Sequence, residues 1–280
     1  MDEFIVLNLG HAETVHKWTN EDISSPFVRM FYVKKGKALL HLNEQDIQLS
    51  AGHMYLLPSY TPHAYECDPE FEFYYLFVYL RKLDMGSIFD IYDFPYEVKS
   101  NLATQLLFEN YCNLYPQLAL PSRDAEAFLN HQAYRDYAQA FMQMEWYERL
   151  QLHGLVEILI SYFVKQAKRK QIVNDDRIAK VLDYINQNLS KSISVEELAD
   201  KACLTKSYLI RMFRQHLGIT PLQYVIRKKI QYSQTLLLES DMSIQEIATS
   251  IGIPDVSYFI RLFKKNLGFT PQEYRLKLIG

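Results

Sequence analysis

Cysteine is scarce. The 280 residues hold three, Cys67, Cys112 and Cys203, scattered so widely that neither a disulfide framework nor a zinc-ligand spacing runs through them. Long apolar runs are missing too: the nearest, Leu155 to Val164, falls well short of the ~20 residues of a membrane span and is interrupted by Glu157. The opening MDEFIVLNLG is acidic and lacks the basic start and apolar core of a signal peptide. These absences predict a soluble protein of a reducing, cytoplasmic compartment with no membrane partner. Histidine is present but dispersed. His41, His53 and His63 have no companion two residues away, whereas a catalytic metal wants about three ligands converging on one point. No metal and no cofactor are expected.

A net charge of −3 offers no global attraction to nucleic acid, but it hides an asymmetry. From Val173 onward there are 15 Lys and Arg against 11 Asp and Glu, leaving 15 against 22 before it. The basic half also contains a repeat. SVEELADKACLTKSYLIRMFRQHLGITPLQY begins at Ser194, and SIQEIATSIGIPDVSYFIRLFKKNLGFTPQEY begins at Ser243. Ser194 matches Ser243, Glu197 matches Glu246, Arg211 matches Arg261 and Phe213 matches Phe263. The offset grows from 49 to 50, so the second copy has one extra residue near Pro254.

Each copy reads as a helix-turn-helix. Ser-x-x-Glu predicts a capping box at the start of a short helix, and apolar residues three and four apart give that helix one buried face. A second helix follows, with Leu209, Met212, Phe213 and Leu217 in one copy and Phe259, Leu262, Phe263 and Leu267 in the other. Gly218 and Gly268 suit the left-handed position that ends a helix. Thr-Pro then restarts one, Thr as cap and Pro in the first turn. Leu222 to Glu239 is expected to be one uninterrupted helix of about 18 residues, roughly 27 Å. The basic residues Arg227, Lys228 and Lys229 lie on it.

The other half changes character along its length. Phe27–Val33, Ala38–Asn43, Asp46–Ser50, Met54–Leu57 and Phe71–Leu80 read as short strands, with turn signals at Lys35-Gly36, Asn43-Glu44, Ala51-Gly52 and Pro58 to Pro62. Several short strands at this spacing predict a sandwich or barrel. From Tyr92 to Lys170 the pattern is helical: Val98–Tyr115 with Leu102, Leu106, Leu107, Tyr111 and Leu114 on one side, a break at Pro116 to Pro121, then Asp124–Met144 and Trp146–Lys170. In the last of these, Leu152, Val156, Leu159 and Phe163 form one seam and Leu155, Ile158 and Tyr162 a second, an arc wide enough to be covered on two sides. KRKQIVNDD, Lys168 to Asp176, reads as a polar linker. Four regions result: residues 1–90, 91–170, 171–177 and 178–280, the last with helix-turn-helix units at about 194–217 and 243–267.

VKKGKALLHLNEQDIQLSAGHMYLLPSYTPHAY resembles the cupin-type, jelly-roll effector domain of AraC-family regulators, through its glycine after the first strand, the Gly52 turn and the Pro-x-x-x-Pro-His-x-Tyr corner of Pro58 to Tyr65. The repeat, above all GIPDVSYFIRLFKKNLGFTPQEYR, closely resembles the AraC/XylS DNA-binding domain. The resemblance implies an α+β chain: an N-terminal jelly-roll, cupin-like β-barrel with a helical extension, and a C-terminal all-α domain of two helix-turn-helix motifs joined by a long helix. It implies a transcription regulator, not an enzyme, that binds double-stranded DNA in two adjacent major grooves per subunit and works with RNA polymerase. It implies base contacts at Lys206, Ser207, Ile210, Arg211, Val256, Ser257, Ile260 and Arg261, with phosphate contacts at Arg214, Lys264 and Lys265. The effector, a sugar or other small metabolite, is expected against Lys35, Tyr65, Tyr75 and Phe77. A homodimer is expected through Leu152, Val156, Leu159 and Phe163. Two alternatives stay open here, a cupin-type metalloenzyme and a DNA-repair protein fused to the same DNA-binding unit. The repair reading needs clustered reactive and zinc-binding cysteines; Cys67 and Cys112 lack that clustering, and Cys203 is expected on the buried side of a helix.

Overall fold

A computed structural model describes residues 4–23, 25, 27–43, 45–80, 89, 92–120, 133–170 and 175–279. The chain divides into two compact units, residues 1–82 with 94–167 and residues 83–93 with 168–280.

The first unit is built on β1 (Phe4–Glu13), β2 (Trp18–Ile23), β3 (Val28–Lys35), β4 (Lys37–Leu42), β5 (Asp46–Ser50), β6 (His53–Leu57), β7 (His63–Cys67) and β8 (Glu72–Leu80). Five of these lie where the sequence places strands. The other three, β1, β2 and β7, are additions. β7 begins within the stretch read as a corner and runs on to Cys67; its five residues, HAYEC, are too few and too polar to stand out as a strand. After β9 (Tyr92–Asp93) comes β10 (Glu97–Lys99). The sheets run β1-β8-β3-β6-β10 and β2-β7-β4-β5, with every pairing antiparallel. Without β10 these two orders are those of an eight-stranded jelly roll.

Period-two alternation sorts the aromatics of β3 and β8 onto opposite faces. Phe31, Phe73, Tyr75 and Phe77 face one way, and Phe31 meets Tyr65 of the other sheet edge-on at 6.0 Å. Tyr32 and Tyr74 face the other way and meet Phe108 of α1 (Leu102–Leu114). Gly10 is required where it stands: a Cβ there would lie 2.3 Å from the Tyr75 hydroxyl, which crosses β1 to accept the Leu120 amide at 2.8 Å.

α1 buries Thr104 and Phe108 and leaves Leu102, Leu106 and Leu114 exposed, the reverse of the face expected from sequence. After a 3₁₀ turn at Pro116–Leu118 come α2 (Ala133–Gln143) and α3 (Trp146–Val164). The expected Asp124–Met144 helix is seen from Ala133; its earlier part, like Pro121, lies outside the described residues. α3 packs on β1 and β10, with His153 Nε2 3.1 Å from the Phe4 carbonyl. It stops at Val164 rather than Lys170. Lys168–Arg169 forms β11, paired with β9, so the first residues of the expected linker are strand; residues 171–174 lie outside the described residues.

The second unit holds α4 (Asp176–Gln187), α5 (Val195–Lys201), α6 (Lys206–Leu217), α7 (Pro221–Glu239), α8 (Ile244–Ser250), α9 (Val256–Leu267) and α10 (Pro271–Ile279). One core gathers Ile178, Val181, Leu182, Ile185, Leu198, Leu209 and Phe213; a second gathers Ile247, Ala248, Ile251, Phe259 and Phe263. α7 belongs to both, giving Tyr224 and Val225 to the first and Ile230 and Leu237 to the second. No helix among the described residues is long and apolar enough to cross a membrane.

Candidate nucleic-acid interface

The two second helices of the repeat, α6 and α9, are set by the same local chemistry. Thr205 caps α6 by accepting the Tyr208 amide, and Asp255 caps α9 by accepting the Tyr258 amide. Gly218 and Gly268 end them in left-handed conformations, φ 69° and 80°. The short helices ahead of them differ. Ser243 and Glu246 make a complete capping box. In the first copy Ser194 caps the Glu197 amide, but the Glu197 carboxylate is taken by the Tyr184 hydroxyl instead of closing the box.

Leu209 and Phe213 face inward from α6, as Phe259 and Phe263 do from α9. That leaves Ser207, Arg211 and Arg214 exposed on one helix and Ser257, Arg261 and Lys264 on the other, each set spaced by four and three residues along one face. Ile210 and Ile260 are half-buried beside them. Lys206 is exposed but ion-paired with Glu196 of α5, and that pairing holds the Glu196 carboxyl below its usual range. Val256 packs against the second core, which leaves less of it for a base. The Arg211 guanidinium lies over the Tyr208 ring at 4.8 Å. Arg177, bonded to Asp175, approaches the same ring at 6.0 Å. Nothing in the repeat marks Arg177, which lies on α4 outside it, whereas Tyr208 is a repeat residue that matches Tyr258. Arg214, Lys264 and Lys265 occupy last turns, where their charge also complements the helix dipole.

Two of the basic residues on α7 do not belong to this surface. Lys228 and Lys229 are buried, Lys228 at 5.9 Å from the Tyr224 ring and Lys229 among three backbone carbonyls. Arg227 alone of the three is exposed. Cys203 is also placed differently. It is exposed in the turn after α5, with φ 53°, not on a buried helix face.

The expected effector residues separate. Tyr65, Tyr75 and Phe77 are buried between the sheets, Tyr75 and Phe77 with ring centroids 5.4 Å apart. Lys35 is not with them: its ammonium is bonded to Glu70 at 2.7 Å on the surface. The expected dimer seam is corrected too. Leu152, Val156, Leu159 and Phe163 are all buried in the chain's own core, so none is available to a second copy. Ile158 of the neighbouring seam is exposed, with Tyr147 and Leu150. His41, His53 and His63 each have a local partner, Asp46, the Ala51 carbonyl and the Thr61 carbonyl. Burial pushes the thiols of Cys67 and Cys112 up to about 12, which makes both poor nucleophiles at neutral pH.

Residues 24–144 match the model of an AraC-like ligand binding domain, and residues 198–277 match that of a helix-turn-helix domain. The chain is 24% identical over 228 residues to the Msm operon regulatory protein of Streptococcus mutans, covering 80% of this chain and 75% of that one. It is 33% identical over 105 residues to the lactose operon transcription activator of Staphylococcus xylosus, covering 37% of each. Among solved structures, ToxT from Vibrio cholerae O395 aligns over all of both chains with a TM-score of 0.55 at 14% identity, a likeness of fold alone.

Proposed function

We propose, from the premise that this chain belongs to the AraC family of DNA-binding transcription regulators, that it is a one-component switch reading two adjacent major grooves with α6 and α9. The observation that carries this reading is the repetition of one exposed set, Ser207, Arg211 and Arg214 in one unit and Ser257, Arg261 and Lys264 in the other. Serine donates or accepts, and arginine makes a bidentate pair with guanine. α7, with 19 residues, is about 28 Å long, on the scale of one ~34 Å turn of B-DNA. Arg211 and Arg261 read bases in this account, helped by Ser207, Ser257, Ile210 and Ile260. Arg214, Lys264 and Lys265 hold phosphates. Lys206 joins the readers on leaving Glu196, and Val256 touches a thymine methyl.

The N-terminal ligand-binding domain responds to a sugar or other small metabolite, received among the aromatic side chains between the sheets. The regulator works in the cytoplasm as a homodimer and acts on RNA polymerase. Its dimer surface is the apolar face that the unit leaves uncovered, Tyr147, Leu150 and Ile158 of α3 with Leu102 and Leu106 of α1. Footprinting on a bound promoter fragment tests the central reading. Two protected stretches one helical turn apart per subunit are expected, and protection of a single turn refutes it.

A further inference from the structure

Position 29 breaks the apolar run of β3. Arg29 stands between Val28 and Met30 with only 2% of its surface exposed. It lies opposite Phe77 in the β3–β8 pairing, so its side chain enters the space between the sheets. There the guanidinium sits between two rings, 5.0 Å from the Phe27 centroid and 4.9 Å from that of Phe77. One Nη donates to the Ser25 hydroxyl at 2.7 Å, while the buried Nε–H has no acceptor. Buried charges are normally paired and hydrogen-bonded. Among the described residues no carboxylate meets Arg29.

His63 supplies a complementary group. Its Nδ1 is 2.7 Å from the Thr61 carbonyl, which can only accept, so Nδ1 carries the proton and Nε2 is a bare acceptor. Nε2 is buried and has no donor. The imidazole is held down at about 3 by burial and by the nearby Arg29 charge, so it stays neutral at physiological pH. His63 and Tyr65 are neighbours, with ring centroids 5.0 Å apart. Among the described residues the interior therefore presents a guanidinium that meets the Ser25 and Tyr65 hydroxyls but no counter-charge, with its Nε–H unfilled, and one unfilled neutral acceptor, within a wall of aromatic rings.

We infer that the space between the sheets takes a small hydroxylated carboxylate, its carboxylate accepting from Arg29 and its hydroxyl donating to Nε2 of His63. Phe27 and Phe77 flank the anion and keep water from the guanidinium, which strengthens the pair. A neutral sugar leaves Arg29 without a counter-charge. A plain carboxylate leaves His63 without a donor. The inference rests on the reading of this unit as an effector domain and narrows the effector to one chemical class. It depends on none of the residues assigned to DNA.

Glycolate is the smallest probe that carries both groups. Thermal melts of the full-length protein at constant ionic strength are expected to show a saturable rise of about 2–4 °C with glycolate, a smaller rise with acetate and none with glycolamide. Arg29→Met abolishes both rises. His63→Phe keeps the acetate response and removes the excess for glycolate, which retains a test if the Arg29 variant does not fold. No rise with glycolate, or an equal rise with glycolamide, overturns the inference. If D-xylose stabilises the protein where glycolate does not, the anion is refuted and effector binding stands; DNA binding, read separately by gel shift, is untouched by either result.

Discussion

Cys203 and Gly252 hold the same place in the two helix-turn-helix units, and both have left-handed backbones, with φ of 53° and 66°. The next amide in each unit closes back on the short helix, Leu204 onto Ala199 and Ile253 onto Ala248, both at 2.9 Å. Pro254 is then the extra residue of the second copy, between that bond and the Asp255 cap. A left-handed conformation costs an L-residue about 1–2 kcal/mol, and glycine gives back part of that relief as unfolded-state entropy. Cys203→Gly is therefore expected to stabilise the chain by about 0.5–1 kcal/mol. Gly252→Ala has no room: its Cβ would lie 2.7 Å from the Lys191 and Ser190 backbone, so it destabilises by more than the gain at 203. Urea unfolding of both variants measures the two signs.

Lys229 ties the units together. From α7 its ammonium reaches the Leu189 carbonyl at 2.8 Å, and the carbonyls of Lys191 and Ile251 accept from it as well. Two of these acceptors follow α4 and the third ends α8, so one side chain spans both units. Lys229→Met leaves three acceptors, two of them buried, without their donor, a loss of about 2–4 kcal/mol. If urea unfolding shows less than 0.5 kcal/mol, the tie is not structural.

Arg211 and Arg214 separate base reading from anchoring. Arg211→Ala is expected to cost about 1–3 kcal/mol on the specific site and less on random DNA. Arg214→Ala weakens both alike and reduces the salt dependence of binding by about one unit of slope. Equal losses on both DNAs for Arg211→Ala would reassign it to phosphate.

The acid limb of stability is expected to carry a signature of His63. Its folded pKa, lowered to about 3, lies below the ordinary histidine value of 6.5. Above pH 6.5 both states are neutral and the contribution is full. Between 6.5 and 3 the unfolded state binds the proton and the folded state does not, so stability falls with falling pH. From pH 6.5 to 5 this is about 2 kcal/mol at 1.36 kcal/mol per unit. His63→Asn, which still offers an N–H to Thr61, flattens this limb; an unchanged pH profile counts against the buried neutral imidazole.

Leu150 and Leu152 distinguish the two sides of α3. Leu150→Asp, with Ile158→Asp, is expected to convert a dimer to folded monomers in sedimentation velocity. Leu152→Asp places a charge in a fully buried site and lowers Tm regardless of assembly. A dimer that survives the first pair moves the interface elsewhere.

Local chemistry was enough to determine much of this protein from its sequence. The repeat, the Ser243–Glu246 capping box, the left-handed Gly218 and Gly268, and the outward positions of Arg211 and Arg261 all follow from contacts within a few residues. Five strands were legible because aromatic and aliphatic runs stand between turn residues. Tertiary structure alone decided which faces are covered. Periodicity shows that α1 and α3 have apolar faces, but only packing against β1, β3, β8 and β10 selects Phe108 over Leu106, and Leu152 over Ile158. The same holds for charge. Arg29, Lys35 and Lys229 look alike as basic residues, yet one lies between aromatic rings, one on a surface glutamate and one among three carbonyls. Phe27 is a near neighbour of Arg29, but Phe77, Glu70 and the three carbonyls come from 22 to 48 residues away, beyond the reach of any local pattern.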